Sequence, residues 1–376
     1  MAEPGGPDPL IVETARRFAA EVLAPGAAAR EAAGRIEQAA IGGLAELGFL
    51  GATTAPDWSG AGIDTLTYAA VVEEIAAGDG SVSTLMSVHN APTCEVLERF
   101  GSDAQKSRWL RPLASGEWVG SFALTEPGAG SDAAAIATRA VRRGDAYVID
   151  GAKQFISNAA IGQATVLFAV TDPAAGRHGI SCFVVANDAP GFAVTRVERK
   201  LGQKASDSCA LAFTAMEVPE AQRIGAEGDG YRIALSTLES GRIGIAAQSV
   251  GMARAALDCA IAYARERQAF GKRIIDHQAV GFRLVEAKTQ LAAARQLTWH
   301  AARLKDAGAP ALEAAAMAKL FASEAAESIC SAAIQTLGGY GYLADFPVER
   351  IWRDVRVCQI YEGTSDVQKI ILQRLL

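Results

Sequence analysis

Residues 164–186, ATVLFAVTDPAAGRHGISCFVVA, contain two short runs rich in β-branched and aromatic residues, separated by a linker rich in Gly, Pro and Asp. Runs bounded in this way are typical of β-strands. The pattern continues in FAVTRV (192–197) and CALAFTAMEV (209–218). We therefore predict a mostly antiparallel β-domain over residues 119–222.

A glycine-rich segment, Gly128-Ala-Gly-Ser-Asp-Ala133, matches the dinucleotide-binding pattern GxGxxG/A, and Asp150 follows at about the expected ~20 residues. We reject this reading because Glu126-Pro127 separates the glycines from the preceding strand and no βαβ unit follows. Asp150-Gly151 between AYVI and AKQFIS instead predicts a hairpin turn. The glycines then form either an ordinary loop or a nest of N–H groups for a phosphate or ring edge.

The segment before the β-domain has helical periodicity. ETARRFAAEVLAP (13–25) carries apolar residues at helical spacing, and the pattern predicts that this helix ends at Pro25. Ser102-Asp-Ala-Gln105 has the sequence of a capping box, and it predicts the start of a helix that holds Trp109 and Leu110.

The segment after the β-domain predicts long helices near residues 231–266, 276–306 and 310–337, and a shorter helix after Gly363. Long helices with short links favour an antiparallel four-helix bundle. The predicted fold class is α+β, mostly α, with an N-terminal helical domain (1–118), a middle antiparallel β-domain (119–222) and a C-terminal four-helix bundle (223–376).

Composition excludes several functional classes. The 376 residues carry a net charge of -6 and no basic block, which argues against a nucleic-acid partner. No apolar run approaches the roughly 20 residues of a membrane span, and MAEPGGPDPL lacks the regions of a signal peptide. The cysteines are scattered, so we expect reduced thiols in a cytoplasmic protein. They are Cys94, Cys182, Cys209, Cys259, Cys330 and Cys358.

Three further segments allow a structural or a functional interpretation. Arg265–Gly271 is cationic at a predicted helix end, and Gln335–Gly339 reads as a glycine C-cap. In Tyr361-Glu-Gly-Thr-Ser365, an exposed Glu is the commoner case, but a buried Glu362 would have a raised pKa, as a base requires. The four histidines lack the Glu-x-x-His pairs of di-iron bundles, so no metal site is predicted.

Taken together, the segments resemble the acyl-CoA dehydrogenase family, in the same order and over nearly the whole chain. The resemblance implies the predicted fold order, FAD as cofactor, and α,β-dehydrogenation of an acyl-CoA thioester to the trans-2-enoyl-CoA. The matching segments are FALTEPGAGSD (122–132), AKQFISNA (152–159), RKLGQKASDS (199–208), LESGRIGIAAQ (238–248), RERQAFGK (265–272), QTLGGYGY (335–342) and YEGTSDVQ (361–368).

The resemblance also implies roles for single residues. Glu362 falls on the catalytic base, which removes the α-proton while the β-hydride passes to flavin N5. The substrate contacts would be Ser131, Glu239, Arg242, Tyr361 and Gly363. The FAD contacts would be Phe122, Leu124, Thr125, Gly130, Ser131, Phe155, Ile156, Ser157, Arg267, Phe270, Gln278, Gln335, Leu337, Gly338, Gly339, Thr364, Ser365 and Asp366. In the family, the contacts of Arg267, Phe270 and Gln278 cross a subunit boundary.

The sequence departs from the family pattern at a few positions. Phe155 stands where many members carry Trp, Ser157 where many carry Thr, and Glu239 where Asp is usual before Arg242. Some relatives place the base on the long bundle helix, at the position of Gly241, which has no side chain to serve. The segment LESGRIGIAAQ is most similar to the short-chain group.

The resemblance implies partners as well: an acyl-CoA substrate, an electron-transfer flavoprotein as acceptor, and a homo-oligomer, commonly a tetramer. The expected setting is fatty acid or branched-chain amino acid catabolism. Two alternatives stay open, namely a biosynthetic dehydrogenase of a carrier-protein thioester and a non-catalytic flavin-binding paralogue. The intact YEGTS segment argues against the second, because a scaffold has no need of a buried Glu.

Overall fold

The computed structural model describes residues 5–376, and the predicted absence of a signal peptide therefore falls partly on residues 1–4, outside the described chain. None of the helices in the described chain is both long and apolar enough to cross a membrane. Eight helices lie within residues 5–118. They are α1 (Pro9–Phe18), α2 (Ala24–Ala33), α3 (Gln38–Glu46), α4 (Thr65–Gly78), α5 (Gly80–Val88), α6 (Glu95–Phe100), α7 (Asp103–Gln105) and α8 (Arg111–Ala114).

The predicted helix end at Pro25 is wrong. A π-helical turn at Ala19–Leu23 joins α1 to α2, so the chain stays helical as far as Ala33. Proline lacks an N–H, and the wider bonding of a π-turn absorbs that irregularity without ending the helix. The helix ends instead at Gly34, whose φ of 64° provides a left-handed C-cap.

The predicted capping box is confirmed. Ser102 Oγ accepts a hydrogen bond from the Gln105 N–H, and Gln105 Oε1 accepts one from the Ser102 N–H. This pairing satisfies two N–H groups at the helix start. The helical segment that follows contains Trp109 and Leu110, both buried.

The middle of the chain forms one eight-stranded sheet. Its order is β6-β7-β3-β2-β4-β5-β8, with β1 added on β4. The strands are β1 (Gly120–Ala123), β2 (Arg139–Arg143), β3 (Ala146–Ile156), β4 (Ala164–Val170), β5 (Ile180–Ala186), β6 (Phe192–Val197), β7 (Cys209–Pro219) and β8 (Arg223–Ile224). Strand β4 pairs in parallel with β1 and, at one residue pair, with β2, while the remaining pairs are antiparallel. The prediction of a mostly antiparallel sheet is confirmed.

The predicted hairpin turn at Asp150-Gly151 is wrong. Strand β3 runs straight through both residues, and the hairpin lies between β2 and β3, where Arg143 pairs with Ala146. At Asp150 the pairing of β3 with β7 shifts, and Asp150 Oδ1 accepts a hydrogen bond from the Ala215 N–H. The Asp-Gly pair therefore marks a β-bulge, a second local feature that favours glycine.

The remainder of the chain is helical, as predicted. Its long helices are α9 (Gly230–Glu266), α10 (Gln278–Asp306) and α11 (Leu312–Leu337), followed by α12 (Pro347–Val355) and α13 (Ser365–Gln373). Each predicted boundary of the long helices lies within two residues of the observed one. Two short strands, β9 (Gln268–Ala269) and β10 (Lys272–Arg273), connect α9 to α10.

Helix α9 organises the packing of both helical regions. It contacts α10 and α11 of the bundle and α4 of the N-terminal region, and one hydrophobic core runs through all of them. The approach to α4 requires a glycine, because a Cβ at Gly251 would lie 2.1 Å from the Glu73 carbonyl oxygen. The same helix carries Gly241 and Arg242, and α9 therefore connects the core to the candidate site.

Candidate active site

The segment between α12 and α13 forms a tight turn at Glu362 and Gly363. Both residues have left-handed backbone conformations, with φ of 54° and 85°. For a residue with a Cβ such as Glu362, this conformation costs about 1–2 kcal/mol. Strain of this kind persists where surrounding contacts enforce it, often at functional sites. The turn directs the Glu362 side chain towards α9.

One oxygen of the Glu362 carboxyl group is fully buried. Glu362 is partly exposed as a residue, but its Oε2 atom has no solvent contact and no hydrogen-bond partner among residues 5–376. Burial raises the pKa of Glu362 to about 7, although the positive charges of Arg242 and Lys319 oppose the rise. The carboxyl group is therefore tuned to exchange a proton near neutral pH.

Gly241 of α9 forms the surface against which this carboxyl group lies. A Cβ at Gly241 would be 2.8 Å from Glu362 Oε2, closer than carbon and oxygen normally approach. The bundle helix therefore has no carboxylate at this position and instead makes room for the one from the turn. The space at Gly241 is therefore taken up by the carboxyl group of Glu362.

Arg242 lies beside Glu362 and is 5% exposed. Its Nε and Nη1 atoms have no partner in the described chain. Burial lowers the pKa of Arg242, and the nearby charges of Glu362 and Glu239 counteract that effect. Glu239 also lines a cavity of about 660 Å³ together with Arg99 and Lys305. The structure thus brings together the three charged residues predicted for the base and for substrate contact.

Tyr361 is fixed by a buried network that the sequence analysis missed. Its hydroxyl donates to Gln248 Oε1 on α9 and accepts from Gln203 Nε2 at 3.3 Å. Gln248 Nε2 in turn donates to Thr84 Oγ1 at 2.6 Å and to Ser83 Oγ at 2.7 Å on α5. Both glutamines lie in segments that resemble the family, RKLGQKASDS and LESGRIGIAAQ. Their place in these segments was the sequence signal that could have identified them.

Two β-domain segments predicted to contact a flavin are joined by hydrogen bonds and a buried ion pair. Lys153 Nζ of β3 donates to the Leu124 carbonyl oxygen at 3.0 Å and pairs with Glu126 Oε1 at 2.7 Å. The Gln154 N–H donates to the Thr125 carbonyl oxygen at 2.9 Å. Lys153 is fully buried. The sequence did not predict its ion pair with Glu126 or its bond to the Leu124 segment. These bonds hold two segments next to each other. The first contains Phe122, Leu124 and Thr125, and the second contains Phe155, Ile156 and Ser157.

The surface formed by these segments is open. Phe155 has a φ of 60° and is 64% exposed, so its ring stands out from the end of β3. Gly130 and Ser131 are exposed in the preceding loop, and a Cβ at Gly128 or Gly130 would meet no atom within 4 Å. Packing within the chain does not require these glycines, which leaves space for a planar ring or an anionic group against the backbone.

Residues at the start of α13 lie next to the Glu362 turn. Thr364 Oγ1 caps the helix by accepting from the Val367 N–H at 3.2 Å. Ser365 Oγ is buried without a partner in the described chain, while Asp366 is exposed. An unpartnered buried hydroxyl at a helix N-terminus is an observation that fits an absent polar ligand.

The remaining predicted residues gather at the other end of α9. Arg267, Leu337, Gly338 and Gly339 line a cavity of about 480 Å³, and the Arg267 guanidinium lies 6.0 Å from the centre of the Tyr340 ring. Gln335 precedes this group on α11, Gln278 begins α10, and Phe270 is 96% exposed on the intervening loop.

This second group is remote from Glu362 within one chain. Arg242 and Arg267 are separated by 25 residues of α9, which is about 37 Å at the rise of an α-helix. One chain therefore places the predicted cofactor residues in two separate regions.

Comparisons with known proteins agree with this architecture. Models of the acyl-CoA dehydrogenase N-terminal, middle and C-terminal domains match residues 8–117, 121–216 and 228–376. The chain belongs to the acyl-CoA dehydrogenase family of oxidoreductases, and the resemblance seen in the sequence is confirmed. The bovine mitochondrial short-chain specific acyl-CoA dehydrogenase is 44% identical over 363 residues, which are 96% of this chain and 88% of that protein.

Two solved structures extend the comparison. Butyryl-CoA dehydrogenase from Megasphaera elsdenii has a TM-score of 0.95 and 38% identity, covering 97% of this chain and 96% of that one. A glutaryl-CoA dehydrogenase from Mycobacterium smegmatis, in complex with FADH2, has a TM-score of 0.92 and 30% identity, covering 97% and 93%. The predicted fold class is confirmed by this agreement.

Proposed function

We propose that the protein is an FAD-dependent acyl-CoA dehydrogenase that converts an acyl-CoA to its trans-2-enoyl-CoA, with Glu362 as the base. The observation that carries the proposal is the position of the Glu362 carboxyl group against Gly241, with Oε2 buried and without a partner in the described chain and with a pKa raised to about 7. Such a group accepts a proton near neutral pH without first breaking an ion pair or a hydrogen bond.

FAD fits the residues present. The exposed Phe155 ring and the open space at Gly128 and Gly130 suit a flavin ring and its pyrophosphate, and the unpartnered Ser365 hydroxyl suits a polar group of the cofactor. The residues proposed to hold it are Phe122, Leu124, Thr125, Gly130, Ser131, Phe155, Ile156, Ser157, Thr364, Ser365 and Asp366. When bound, FAD supplies the electron-accepting chemistry by taking up the hydride that leaves Cβ.

The residues of the chain perform the proton transfer. An α C–H is a weak acid, so its removal requires stabilisation of the charge that develops on the thioester oxygen. The backbone N–H of Glu362 suits this role, since no backbone acceptor within residues 5–376 is bonded to it. Gly363 has no side chain to obstruct that approach, and Arg242 and Tyr361 border the same turn. The α-proton then passes to the Glu362 carboxylate.

We further propose a short acyl chain and an electron-transfer flavoprotein as the acceptor that reoxidises the cofactor. The similarity to short-chain specific and butyryl-CoA dehydrogenases supports the chain length. Catabolism of fatty acids or branched-chain amino acids is the corresponding setting. All six cysteines are free thiols, which suits a reducing compartment such as the cytoplasm.

The site is proposed to be completed by a second copy of the chain, in a dimer or a dimer of dimers. Arg267, Phe270, Gln278, Gln335, Leu337, Gly338 and Gly339 would contact the FAD of the partner. The separation of about 37 Å along α9 between Arg242, which lies beside Glu362, and Arg267 supports this arrangement, because the proposed cofactor residues near Glu362 and those near Arg267 then lie in different regions of one chain.

Two experiments distinguish this proposal from its alternatives. The first compares the same acyl group carried on pantetheine, on CoA and on a carrier protein. Dehydrogenation of the CoA or pantetheine thioester at a rate that matches the carrier-protein thioester supports the CoA substrate. Activity confined to the carrier-protein thioester favours the biosynthetic alternative. A flavin that stays oxidised with every acyl thioester would favour the non-catalytic paralogue.

The decisive test of the base is optical. Purified protein is expected to be yellow, and anaerobic addition of butyryl-CoA is expected to bleach the flavin band. Glu362→Gln should retain the flavin and bleach at least about 100-fold more slowly, the lower range of general-base contributions. Glu46→Gln, an exposed site on α3, is the matched control and should behave as wild type. Bleaching of Glu362→Gln at the wild-type rate would refute the assignment.

A further inference from the structure

The carbonyl groups of the Glu362–Gly363 turn are held by two buried side chains. Lys319 Nζ of α11 donates to the Gly363 carbonyl oxygen at 2.7 Å. Gln368 Nε2 of α13 donates to the same oxygen at 2.9 Å and to the Glu362 carbonyl oxygen at 3.2 Å. Lys319 and Gln368 are both 0% exposed. Two elements of the bundle thus converge on the backbone of the residue that carries the base.

Lys319 is an unusual residue in its surroundings. It is the one charged side chain in the apolar stretch AAAMAKLFA of α11, and it lies on the buried face of that helix, where burial of an ammonium is costly. In the described chain, no carboxylate lies at salt-bridge distance from Lys319, and its hydrogen bond goes to a backbone carbonyl. Burial lowers the pKa of Lys319 to about 8, with Cys358 and Glu362 opposing that effect. The free energy of folding therefore does not explain why a lysine stands at position 319.

We propose that Lys319 and Gln368 are positioning residues that hold the Glu362–Gly363 turn in its left-handed form and thereby aim the Glu362 carboxylate at the substrate α-carbon. The inference rests on the proposed role of Glu362 as the base. A left-handed Glu is disfavoured in isolation, so the conformation needs contacts that enforce it. The three hydrogen bonds to the turn carbonyls are contacts of that kind.

Lys319 has a second effect that Gln368 lacks. The charged groups that face the Glu362 carboxylate are Arg242 from α9 and Lys319 from α11, and both hold down its pKa. Lys319 itself faces Cys358, Arg242 and Glu324. Removal of the ammonium should therefore raise the pKa of Glu362 beyond about 7, whereas removal of the uncharged Gln368 amide should leave that pKa in place.

The test uses the FAD-loaded enzyme and anaerobic single-turnover reduction by butyryl-CoA, measured from pH 5.5 to pH 9 by stopped flow. Lys319→Met and Gln368→Met keep the approximate side-chain volume and remove the donors. Lys319→Arg restores a cationic donor. Ser323→Ala is the control, because Ser323 is also buried on α11 and, within residues 5–376, its hydroxyl bonds only to Leu320 of the same helix.

We expect Lys319→Met and Gln368→Met to lower the limiting rate of reduction by about tenfold to hundredfold, the cost of a displacement of about 1 Å. The concentration of butyryl-CoA at half-saturation, the FAD content and the melting temperature should change little. Only Lys319→Met should move the acid limb of the rate profile to higher pH, and Lys319→Arg should recover part of the rate. Ser323→Ala should match wild type.

Wild-type limiting rates in both Met variants would overturn the proposal, and so would a loss that Ser323→Ala shares. If Lys319→Met fails to fold, Gln368→Met and Lys319→Arg decide the question. Failure of the underlying base assignment has a different signature: Glu362→Gln would then bleach at the wild-type rate, whatever the Lys319 and Gln368 variants do.

Discussion

Gly241 of α9 and Glu362 of the turn before α13 are in contact: a methyl group on Gly241 would lie 2.8 Å from Oε2 and 2.9 Å from Cδ of Glu362. The contact explains why the bundle helix has a glycine at a position where a kink or a turn does not require one. A residue larger than glycine at position 241 would overlap the Glu362 carboxyl group in its present place.

Gly241→Ala should therefore displace the base. The added methyl group cannot be accommodated at 2.8 Å, so the carboxyl group must move, and we expect flavin reduction by butyryl-CoA to slow by about tenfold to hundredfold. FAD content should be unchanged. Gly42→Ala in α3 is the control, since a Cβ there meets no atom within 4 Å. Normal rates in Gly241→Ala would show that the carboxyl group is not confined as the structure indicates.

The rate of flavin reduction should follow the ionisation of Glu362. The carboxylate is the active form, and its pKa is about 7, so the rate constant should rise about tenfold per pH unit below pH 7 and level off above it. Stopped-flow measurement from pH 5.5 to pH 9 tests this. A flat profile over that range would mean that the carboxyl group ionises at a lower pH.

The same ionisation should weaken the fold. The folded-state pKa of Glu362 is raised from 4.5 to about 7, so the stability that the neutral carboxyl group contributes is full below pH 4.5 and is lost as pH rises to 7. The loss amounts to about 3 kcal/mol. Glu362→Gln should thus melt at a higher temperature than wild type at pH 8 and near the wild-type temperature at pH 4.5.

The melting comparison must be made between the two proteins, because Asp354 is buried too and its pKa is also raised to about 7. Its contribution to the pH dependence is common to both and cancels in the difference. Equal melting temperatures at pH 8 would contradict the buried state of the Glu362 carboxyl group.

Breaking the Glu126–Lys153 pair should loosen the flavin surface. Glu126→Gln leaves the fully buried Lys153 ammonium without its counter-charge, and the loss of one partner of a buried ion pair typically costs 3–5 kcal/mol. We expect a lower melting temperature and a smaller FAD content, measured by the flavin absorbance per chain. The double variant Glu126→Gln/Lys153→Met should recover part of the stability, because it removes the unpaired charge. A double variant less stable than the sum of the singles would argue against a direct pair.

Phe270→Ala tests the contribution of a second copy to the cofactor site. The ring is 96% exposed in the single chain, so its removal should cost no packing within that chain. If the ring contacts the FAD of a partner, the variant should lose FAD on dilution while its circular dichroism stays unchanged. Val141→Ala on β2, where the side chain is 55% exposed, is the control. Equal FAD retention in both variants would count against the shared site.

The sequence predicted the order and bounds of the long helices well, because their apolar periodicity extends over many turns. Local turn signals were less reliable. Asp150-Gly151 and the Gly144-Asp145 turn carry similar residues, and only the pairing of β2 with β3 decides which of them is the hairpin. Pro25 likewise signals a helix end, but the π-turn before it depends on packing that a local pattern does not contain.

At the site, the family motifs directed attention to Glu362 and to Arg242, which the structure places side by side. The supporting residues were missed for a physical reason. Lys319 and Gln368 lie on helices whose sequence patterns predict nothing beyond a helix. What distinguishes them is their hydrogen bonds to the Gly363 carbonyl oxygen, which come from tertiary packing. The domain boundaries and the roles of the individual residues stay predictions.

The length of α9 has a consequence for genetics. Glu362 lies beside Gly241 and Arg242 in the first half of α9, and Arg267 follows its last residue, so a shared site would take its base from one copy and its dinucleotide contacts from the next. A mixed dimer of a chain defective at Glu362 and a chain defective at Arg267 would then contain one site with both defects and one site with neither. Two inactive alleles of this gene would complement each other in the same cell.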